Sequence, residues 1–458
     1  MFFDDTIAAV STPPGRGGIS VIRISGKQAI EIADKIYTNQ RGKKLSDVAS
    51  HTINHGFALR KDGTYIDEIL VSVMRAPHTY TKEDVAEVNC HGGVVSTKEI
   101  LGAILEAGAR LAEPGEFTKR AFLNGRMDLC EAESVIDIIN AKSREAHTVS
   151  VHQLRGNLSK SIGKIRERLL TLTAHLQVLI DFADEDLEPL SDEEYLDGLK
   201  DSLNDVKKLL ATADRGQIIK DGVKTAIVGK PNAGKSSLLN LLYGDERAIV
   251  TDIEGTTRDA IEETVTLGGV MLNLADTAGI RETDDTIEKI GVEKSKAIME
   301  NAELIIFMAD GTKALDENDE YIISTIGNKN TVILVNKADE KIICDVSRLK
   351  AVSDKVIEFS VKTKKGLDEF EALVKEMFGS GEIESNDEAM ITGVRHKQAL
   401  IKAKDALESA IDAIISGIEI NMTFIDIENA ISALGEITGQ TVEEEIVDRI
   451  FHSFCVGK

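Results

Sequence analysis

The residues with the clearest chemistry form a glycine-rich loop with the pattern GxxxxGKS, at residues 229–237. The apolar run at 225–228 favours a buried strand before the loop, and residues 238–242 favour a helix after it. In that setting, backbone N–H groups and the N-terminus of the helix can surround a phosphate group. Lys235 is expected against the outer phosphates, and Ser236 is expected to offer its hydroxyl to Mg²⁺. The predicted phosphate-binding residues are Asn232, Ala233, Gly234, Lys235, Ser236 and Ser237.

A second motif, NKxD, comes directly after the apolar run at residues 332–335. The carboxylate of Asp339 can accept hydrogen bonds from both the ring N–H and the exocyclic amine of guanine. Adenine would leave that carboxylate unpaired, which costs heavily. A loop after residues 357–359 suits closure over the base. The predicted guanine-binding residues are Asn336, Lys337, Asp339, Ser360, Val361 and Lys362.

A third motif lies between these two, at the end of the apolar run 270–275, and consists of Asp276, Thr277, Ala278 and Gly279. The Asp276 carboxylate is placed to hold Mg²⁺ through water, and the Gly279 N–H is placed to meet the γ-phosphate. A threonine in the loop at 255–259 can complete the Mg²⁺ shell and order that loop only when a triphosphate is bound. The motifs together predict a nucleotide-dependent switch.

Ile280 stands where Ras-like switches carry the glutamine that orients the attacking water. Isoleucine cannot orient water, so either hydrolysis is very slow or other groups supply the orientation and the positive charge. The side-chain carbonyl of Asn232 could hold a monovalent cation near the place of an arginine finger. Four carboxylates shortly downstream could position the water: Glu282, Asp284, Asp285 and Glu288.

The elements that must position these motifs are predicted from hydrophobic periodicity. Strands and helices alternate over residues 218–378, which predicts a mostly parallel α/β sheet with strands at 224–228, 270–275, 304–309 and 331–336. The N-terminal residues read as α+β, in the order strand, helix, strand, strand, helix. Those elements are expected at 19–24, 29–36, 69–74, 85–90 and 98–107.

Helical stripes fill the rest of the chain. One runs from Leu158 to Leu176, and others contain Ile139 and, in the last part of the chain, Ile446. A linker is expected after Gly379, and the tail beyond it is too short to be rich in core alone. The tail is therefore predicted to pack onto the earlier helices, which makes the nucleotide-binding part an insertion within one helical domain.

Composition limits the function classes. The chain has 458 residues, no Trp and a net charge of −24, which argues against a large basic face for non-specific nucleic-acid binding. No CxxC pair occurs, and no basic leader or apolar run of ~20 residues is evident, so a cytoplasmic location is expected. The cysteines are Cys90, Cys130, Cys344 and Cys455.

The combination of motifs resembles one family, MnmE (also called TrmE), over essentially the whole chain. Nucleotide motifs alone would not separate it from ribosome-assembly GTPases, but the flanking motifs do. Those motifs lie at residues 5–9, 13–18, 23–26, 91–93, 114–118, 120–125, 255–259 and 454–458.

The resemblance implies a multidomain α/β and α+β fold. Residues 1–118 would form an N-terminal α+β domain for tetrahydrofolate binding and dimerisation. Residues 119–217 and 379–458 would form the two parts of an α-helical bundle domain, and residues 218–378 an inserted Ras-like P-loop GTPase domain with a mostly parallel sheet.

The resemblance also assigns roles to residues. Glu288 matches the carboxylate that orients the attacking water, which selects among the four candidates, and Thr251, Thr256 and Thr257 join the GTP-binding set. Mg²⁺ would be held by Ser236 and Thr257. K⁺ would be held by Asn232, Thr251, Ile253 and Thr256.

A folate site is implied by four further matches: Arg23, Glu87, Arg126 and Lys458. Cations and one carboxylate suit a pterin with a glutamate tail. Arg126 departs from the lysine of some members, which leaves its contact open, and an ordinary ion pair is the alternative for Arg23 and Glu87. Cys455 matches a cysteine of the family's C-terminal motif, and a buried small side chain is the alternative.

The function implied is a K⁺-stimulated GTP hydrolase that acts with the flavoprotein MnmG (GidA). Together they would add a carboxymethylaminomethyl or aminomethyl-type group at C5 of the wobble uridine (U34) of tRNA. The carbon would come from 5-formyl- or 5,10-methylene-tetrahydrofolate, and the protein would be a homodimer with no membrane span. The alternatives are a ribosome-assembly-type GTPase switch without modification activity, and a folate enzyme with a vestigial switch. Intact Lys235, Thr257 and Asp339 speak against the latter.

Overall fold

A computed structural model describes residues 4–181, 191–244, 263–275, 299–327, 329–379, 389–454 and 456–457. The chain divides into two compact units. The first contains Met1–Ile136, Gln153–Lys200 and Asp405–Lys458, and the second contains Asp137–His152 and Asp201–Lys404. These units do not decide where the predicted domains begin and end, so those boundaries stay predictions. Among the helices in the described ranges, none is long and apolar enough to cross a membrane.

The first unit begins with a seven-stranded sheet of order β3-β4-β5-β6-β2-β1-β7. All neighbouring strands are antiparallel except β1 and β7, which are parallel. Two helices come after strands of this sheet: α1 (Ala29–Lys35) and α2 (Val94–Glu106). The strands are β1 (Ile7–Val10), β2 (Ile19–Ser25), β3 (Tyr37–Thr38), β4 (Thr52–Leu59), β5 (Tyr65–Met74), β6 (Val85–His91) and β7 (Arg110–Leu111).

The α+β prediction for this region is confirmed, but its element order is incomplete. Strands β1, β3, β4 and β7 were not predicted. The longest of them, β4, carries Asn54, His55 and Gly56 in its interior, which are poor strand formers. Pairing with β5 along its whole length supplies the stabilisation that its own sequence lacks.

Alternation along the central strands gives the sheet two different faces. Ile22 and Ile24 of β2 are buried with residues of α1 and α2 in one apolar core. Arg23 therefore lies on the opposite face, directly across from Glu87 of β6. A smaller apolar cluster that includes Ala9 and Phe117 packs on that second face.

Helices occupy the chain from Glu116 to Asp221: α3 (Glu116–Leu123), α4 (Leu129–Asn140), α5 (Arg144–Leu154), α6 (Asn157–Asp181), α7 (Asp192–Ala211) and α8 (Ala213–Asp221). The stripe from Leu158 to Leu176 on α6 is buried, as predicted. Ile139 is wrong as a core position, because it lies in the last turn of α4 and is 44% exposed.

The second unit contains a six-stranded sheet of order β13-β12-β11-β8-β10-β9. All neighbours are parallel except β10 and β9. The four predicted strands are confirmed as β8, β10, β11 and β12. The edge strands β9 and β13 were not predicted, since β9 is half polar and β13 is very short. The strands are β8 (Val223–Val228), β9 (Glu263–Leu267), β10 (Val270–Leu274), β11 (Leu304–Asp310), β12 (Thr331–Asn336) and β13 (Val356–Glu358).

The helices of this second sheet region are α9 (Lys235–Gly244), α10 (Glu317–Ile326), α11 (Val346–Lys350) and α12 (Leu367–Phe378). The last part of the chain is helical: α13 (Val394–Ile415), α14 (Phe424–Thr438) and α15 (Glu444–His452). Helix α14 packs against α6, in line with the prediction that the tail joins the earlier helices. Ile446, in the first turn of α15, is exposed and is wrong as a core position.

Candidate functional site

The glycine-rich loop lies between β8 and α9, which confirms the predicted strand, loop and helix. Three of its residues have a positive φ: Gly229 at 151°, Asn232 at 64° and Gly234 at 107°. A Cβ atom on Gly234 would lie 2.2 Å from Nδ2 of Asn336, so the position requires glycine for space as well as for φ. The loop is therefore shaped by close contact with the strand end at Asn336.

Lys235 is the first residue of α9, and its ammonium group turns back into the loop. Its Nζ donates hydrogen bonds to the carbonyl oxygens of Gly229, at 2.6 Å, and Lys230, at 2.8 Å. Burial lowers the pKa of Lys235 below its ordinary value. These two contacts are with neutral oxygens, so a phosphate group would supply a counter-charge that the described part of the chain does not give this ammonium.

The NKxD motif lies at the end of β12, beside the loop. Asn336 is buried and joins two loops: its Nδ2 donates to the Ala233 carbonyl oxygen at 2.8 Å, and its Oδ1 accepts from the Val361 N–H at 3.2 Å. The structure therefore brings together the glycine-rich loop, the NKxD motif and the loop at 360–362.

Asp339 faces the loop at 360–362. Its Oδ1 accepts a hydrogen bond from the Ser360 hydroxyl at 2.7 Å, and its Oδ2 lies 3.8 Å from the Lys362 Nζ. The Ser360 hydrogen bond is the main reason that the pKa of Asp339 lies below its ordinary value. The carboxylate is thus held ionised as a hydrogen-bond acceptor, the form that recognition of guanine requires.

Several predicted site residues lie outside the described residues. The structure consequently reports only Ser236 of the predicted Mg²⁺ ligands and only Asn232 of the predicted K⁺ ligands. Asn232 is exposed, and its side chain has no hydrogen-bond partner within the described ranges. The residues outside are Thr251, Ile253, Thr256, Thr257, Asp276, Thr277, Ala278, Gly279 and Glu288.

Two carboxylates that contact the glycine-rich loop, those of Asp316 and Asp319 at the start of α10, were not identified from the sequence. The Nζ of Lys230, within the glycine-rich loop, lies 2.8 Å from Asp316 Oδ2 and 2.6 Å from Asp319 Oδ2. Burial alone would lower the pKa of Lys230, but the two carboxylates outweigh it and raise that pKa. Asp316 and Asp319 form the capping box of α10, a local signal that marks a helix start but not a partner in a distant loop.

Asp310, at the end of β11, holds the lysine of the NKxD motif. Its Oδ2 lies 2.7 Å from the Nζ of Lys337, and its Oδ1 accepts from the Thr312 hydroxyl. Burial raises the pKa of Asp310, and these hydrogen bonds more than compensate, so the pKa is lowered. Lys337 is thereby fixed beside the loop instead of extending into solvent.

The predicted folate-binding residues lie in the first unit. Arg23 donates a hydrogen bond from Nε to Oε1 of Glu87 at 2.9 Å, and its Nη2 lies 2.8 Å from the same oxygen in the ion pair. Its remaining nitrogen, Nη1, is buried and has no hydrogen-bond partner among the residues that the structure describes. The predicted ion pair is present, but it leaves one strong donor unsatisfied.

Tyr80 and Arg126 lie beside this ion pair. The guanidinium carbon of Arg23 is 5.1 Å from the centre of the Tyr80 ring, and that of Arg126 is 4.6 Å from it. Arg126 also donates to the Tyr80 carbonyl oxygen at 3.2 Å. The structure therefore brings together Arg23, Glu87 and Arg126 of the predicted folate set, around an aromatic residue that the sequence did not single out.

Lys458, the last member of that set, and Cys455 lie outside the described residues. Gly457 is described, and its carbonyl oxygen accepts a hydrogen bond from the Ser11 hydroxyl at 3.0 Å. Ser11 comes directly after β1, in which Ala9 is paired with Arg23. Gly457, the last described residue, is thus hydrogen-bonded to the residue directly after β1, the strand that pairs with β2 at Arg23.

Comparisons with known proteins match this chain from end to end. A family model described as the MnmE helical domain matches residues 129–455, and one described as the GTP-binding protein TrmE N-terminus matches residues 6–126. The tRNA modification GTPase MnmE of Alkaliphilus oremlandii is 47% identical over 461 residues, with 100% of both chains covered. The MnmE of Clostridioides difficile is 45% identical over 460 residues, again with both chains fully covered.

Among solved structures, the G domain of the T. maritima FeoB iron transporter is 26% identical. The match covers 34% of this chain and 97% of that one, with a TM-score of 0.25. The full-length identities and the two family models confirm the predicted family. The chain belongs to the MnmE (TrmE) family.

Proposed function

We propose that this protein is a K⁺-stimulated GTP hydrolase that acts with MnmG in tRNA modification. The product would be an aminomethyl or carboxymethylaminomethyl group at C5 of U34, with carbon supplied by a tetrahydrofolate. The observation that supports the nucleotide part most directly is the side chain of Asn336, which joins the phosphate-binding loop to the loop that would cover the base. Names of close relatives as tRNA modification GTPases support the tRNA part.

Different described residues would bind the two ends of GTP, the phosphates and the guanine base. Lys235 would neutralise the outer phosphates, since its ammonium is desolvated and its contacts within the described ranges are with neutral oxygens. Asp339 would accept the two guanine donors, and Ser360 and Lys362 keep that carboxylate ionised. Lys230 and Lys337 hold the loops in position through Asp319 and Asp310.

Two cations complete the proposed site. Mg²⁺ at Ser236 and Thr257, and K⁺ at Asn232, Thr251, Ile253 and Thr256, would neutralise charge that develops on the phosphates. The exposed amide of Asn232, which has no partner in the described part of the chain, fits the K⁺ role. Glu288 would orient the attacking water.

The residues of the first unit fit a folate. Arg23 has a buried donor that finds no partner in the described part of the chain, and such a group costs about 1–3 kcal/mol when nothing accepts from it. A carboxylate or carbonyl oxygen of the ligand would satisfy it. Arg126 adds a second cation, Glu87 can accept from the amino and ring N–H groups of a pterin, and Lys458 would add a third cation.

A homodimer through the N-terminal domain is part of the proposal. The face of the seven-stranded sheet opposite α1 and α2 exposes three large aliphatic side chains, Ile19, Ile53 and Leu70. Cross-strand pairing places them on one face, on β2, β4 and β5. Ile53→Asp should convert the dimer to a monomer in sedimentation velocity. Ile343→Asp, at an equally exposed position of the second unit, should not.

The test of the hydrolase is GTP turnover in K⁺ and in Na⁺ at equal ionic strength. The wild type should be strongly stimulated by K⁺, and Glu288→Ala should abolish turnover while binding of GTP is retained. Glu282→Ala, which removes a neighbouring carboxylate, is the matched control and should retain K⁺ stimulation. Equal rates in both salts would reject the K⁺ role of Asn232 and favour the ribosome-assembly type of switch.

A further inference from the structure

Two guanidinium groups of the first unit, those of Arg23 and Arg126, lie beside one aromatic ring. Arg23 is paired with Glu87, while the described contacts of Arg126 are the carbonyl oxygen and the ring of Tyr80. Glu131 also interacts electrostatically with Arg126, so each guanidinium group has one acidic neighbour. The Nη1 of Arg23, which is buried and has no hydrogen-bond partner among the residues that the structure describes, adds a directional donor. A ligand oxygen with negative charge is the partner that such a site favours.

Tyr80 is the residue that touches both cations. Its ring contacts the guanidinium groups of Arg23 and Arg126, at 5.1 Å and 4.6 Å from the ring centre. Phe117 contacts only Arg23, at 5.6 Å. The electron-rich face of an aromatic ring attracts cations, so the Tyr80 ring can hold both guanidinium groups beside it.

The loop that carries Tyr80 is held firmly. The Tyr80 hydroxyl lies 2.8 Å from the Thr118 hydroxyl on α3, and the next residue, Thr81, contacts the Ser25 hydroxyl at 2.7 Å. Asn124, just after α3, donates to the Thr81 carbonyl oxygen at 2.7 Å. The ring also packs against two apolar clusters, one around Phe117 and one around Phe451. Tyr80 is therefore a fixed point against which longer, flexible side chains can be positioned.

From this geometry we propose that Tyr80 is a positioning residue for the folate-type ligand. Its ring holds the guanidinium groups of Arg23 and Arg126 at a set spacing, so that Nη1 of Arg23 meets an acceptor oxygen of the ligand. The ring acts through the two arginines, whereas its hydroxyl serves to anchor the loop to Thr118. This inference rests on the folate site of the proposed function.

The experiment measures binding of 5-formyltetrahydrofolate to the full chain by calorimetry. Tyr80→Leu should weaken binding about tenfold, the effect of losing two moderate cation–π contacts. Tyr80→Phe, which keeps the ring, should bind within threefold of wild type. Tyr321→Leu, on α10 of the second unit, is the matched control and should bind like wild type. GTP hydrolysis should be the same in all four proteins.

A double-mutant cycle with Arg126→Gln separates positioning from a structural role. If the ring acts through the arginine, Tyr80→Leu should cost clearly less in the Arg126→Gln background than alone. Additive losses, or binding by Tyr80→Leu within twofold of wild type, would overturn the inference. A tenfold loss in Tyr80→Phe would also overturn it, because the ring would then not be the active part. Absence of binding by the wild type would reject the folate site itself, which is a different result.

Discussion

Replacement of Asn336 by alanine is the most direct test of the nucleotide site. The side chain is buried and makes two hydrogen bonds, with the Ala233 carbonyl oxygen at 2.8 Å and the Val361 N–H at 3.2 Å. Asn336→Ala would leave both backbone groups without that partner. Such a loss costs about 1–3 kcal/mol when the group stays buried, and because both groups can regain water we expect about 1–2 kcal/mol for each, or about 2–4 kcal/mol in total.

This cost divides between folding and binding. Loops that lose their shared partner can separate and become hydrated in the free protein, whereas bound GTP needs both in place. If the whole cost appeared in binding, the dissociation constant would rise roughly 30- to 700-fold. We expect a rise of at least tenfold for a fluorescent GTP analogue, together with a lower thermal midpoint.

Asn273 provides a matched control within the same unit. Its Nδ2 donates to the Asp221 carbonyl oxygen at 2.6 Å, and its Oδ1 accepts from the Thr264 hydroxyl at 3.3 Å. Asn273→Ala thus also removes two hydrogen bonds, but none to a nucleotide-binding loop. It should lower the thermal midpoint and leave the affinity for the analogue within threefold of wild type. The reasoning is refuted if Asn336→Ala binds the analogue as tightly as wild type, or if both variants lose affinity equally.

Three other changes should have distinct effects. Asp339→Asn should shift base preference from guanine towards xanthine in a nucleotide competition assay, and unchanged selectivity would remove that assignment. Gly234→Ala, with φ 107° and no room for a Cβ, should weaken analogue binding at least tenfold; Gly244→Ala, with nothing within 4 Å, should not. Burial raises the pKa of Glu116, but hydrogen bonds led by Arg110 outweigh it and leave that pKa below its ordinary 4.5. Its stabilisation is therefore present above pH 4.5 and is lost as the pH falls through the lower folded value, so the difference in unfolding free energy between wild type and Glu116→Gln should shrink towards pH 3. A constant difference would contradict this role.

The nucleotide site could be predicted largely from local sequence motifs. The glycine-rich loop and the NKxD motif each come directly after a strand of the parallel sheet, and neighbouring parallel strands place their carboxyl ends at one edge. Apolar runs were therefore enough to predict β8 and β12 and the proximity of the two loops at their carboxyl ends. The contacts that hold the loops in place could not be predicted from apolar runs and local motifs. Lys230 and Asp319 are far apart in the chain, and no periodicity or spacing links a lysine in one loop to the cap of a distant helix.

Strand register explains why the N-terminal site was foreseeable only in part. Alternation in β2 predicts that Arg23 faces away from the core formed by Ile22 and Ile24. Alternation in β6 predicts in the same way that Glu87 faces away from the core. Which strand lies beside β2 is not written in either segment. A shift of one residue in the pairing would turn one of the two side chains to the other face.

The role of Tyr80 was even harder to predict from the sequence, because Tyr80 belongs to no strand or helix. Its position depends on a loop held by Ser25 from the sheet and by Thr118 and Asn124 from α3 and its end. These contacts join three separate parts of the chain, and each contributes a hydroxyl or amide of a kind that occurs throughout the sequence. The sequence therefore revealed the charged groups of this site, whereas only the fold reveals the ring that lies beside both arginines.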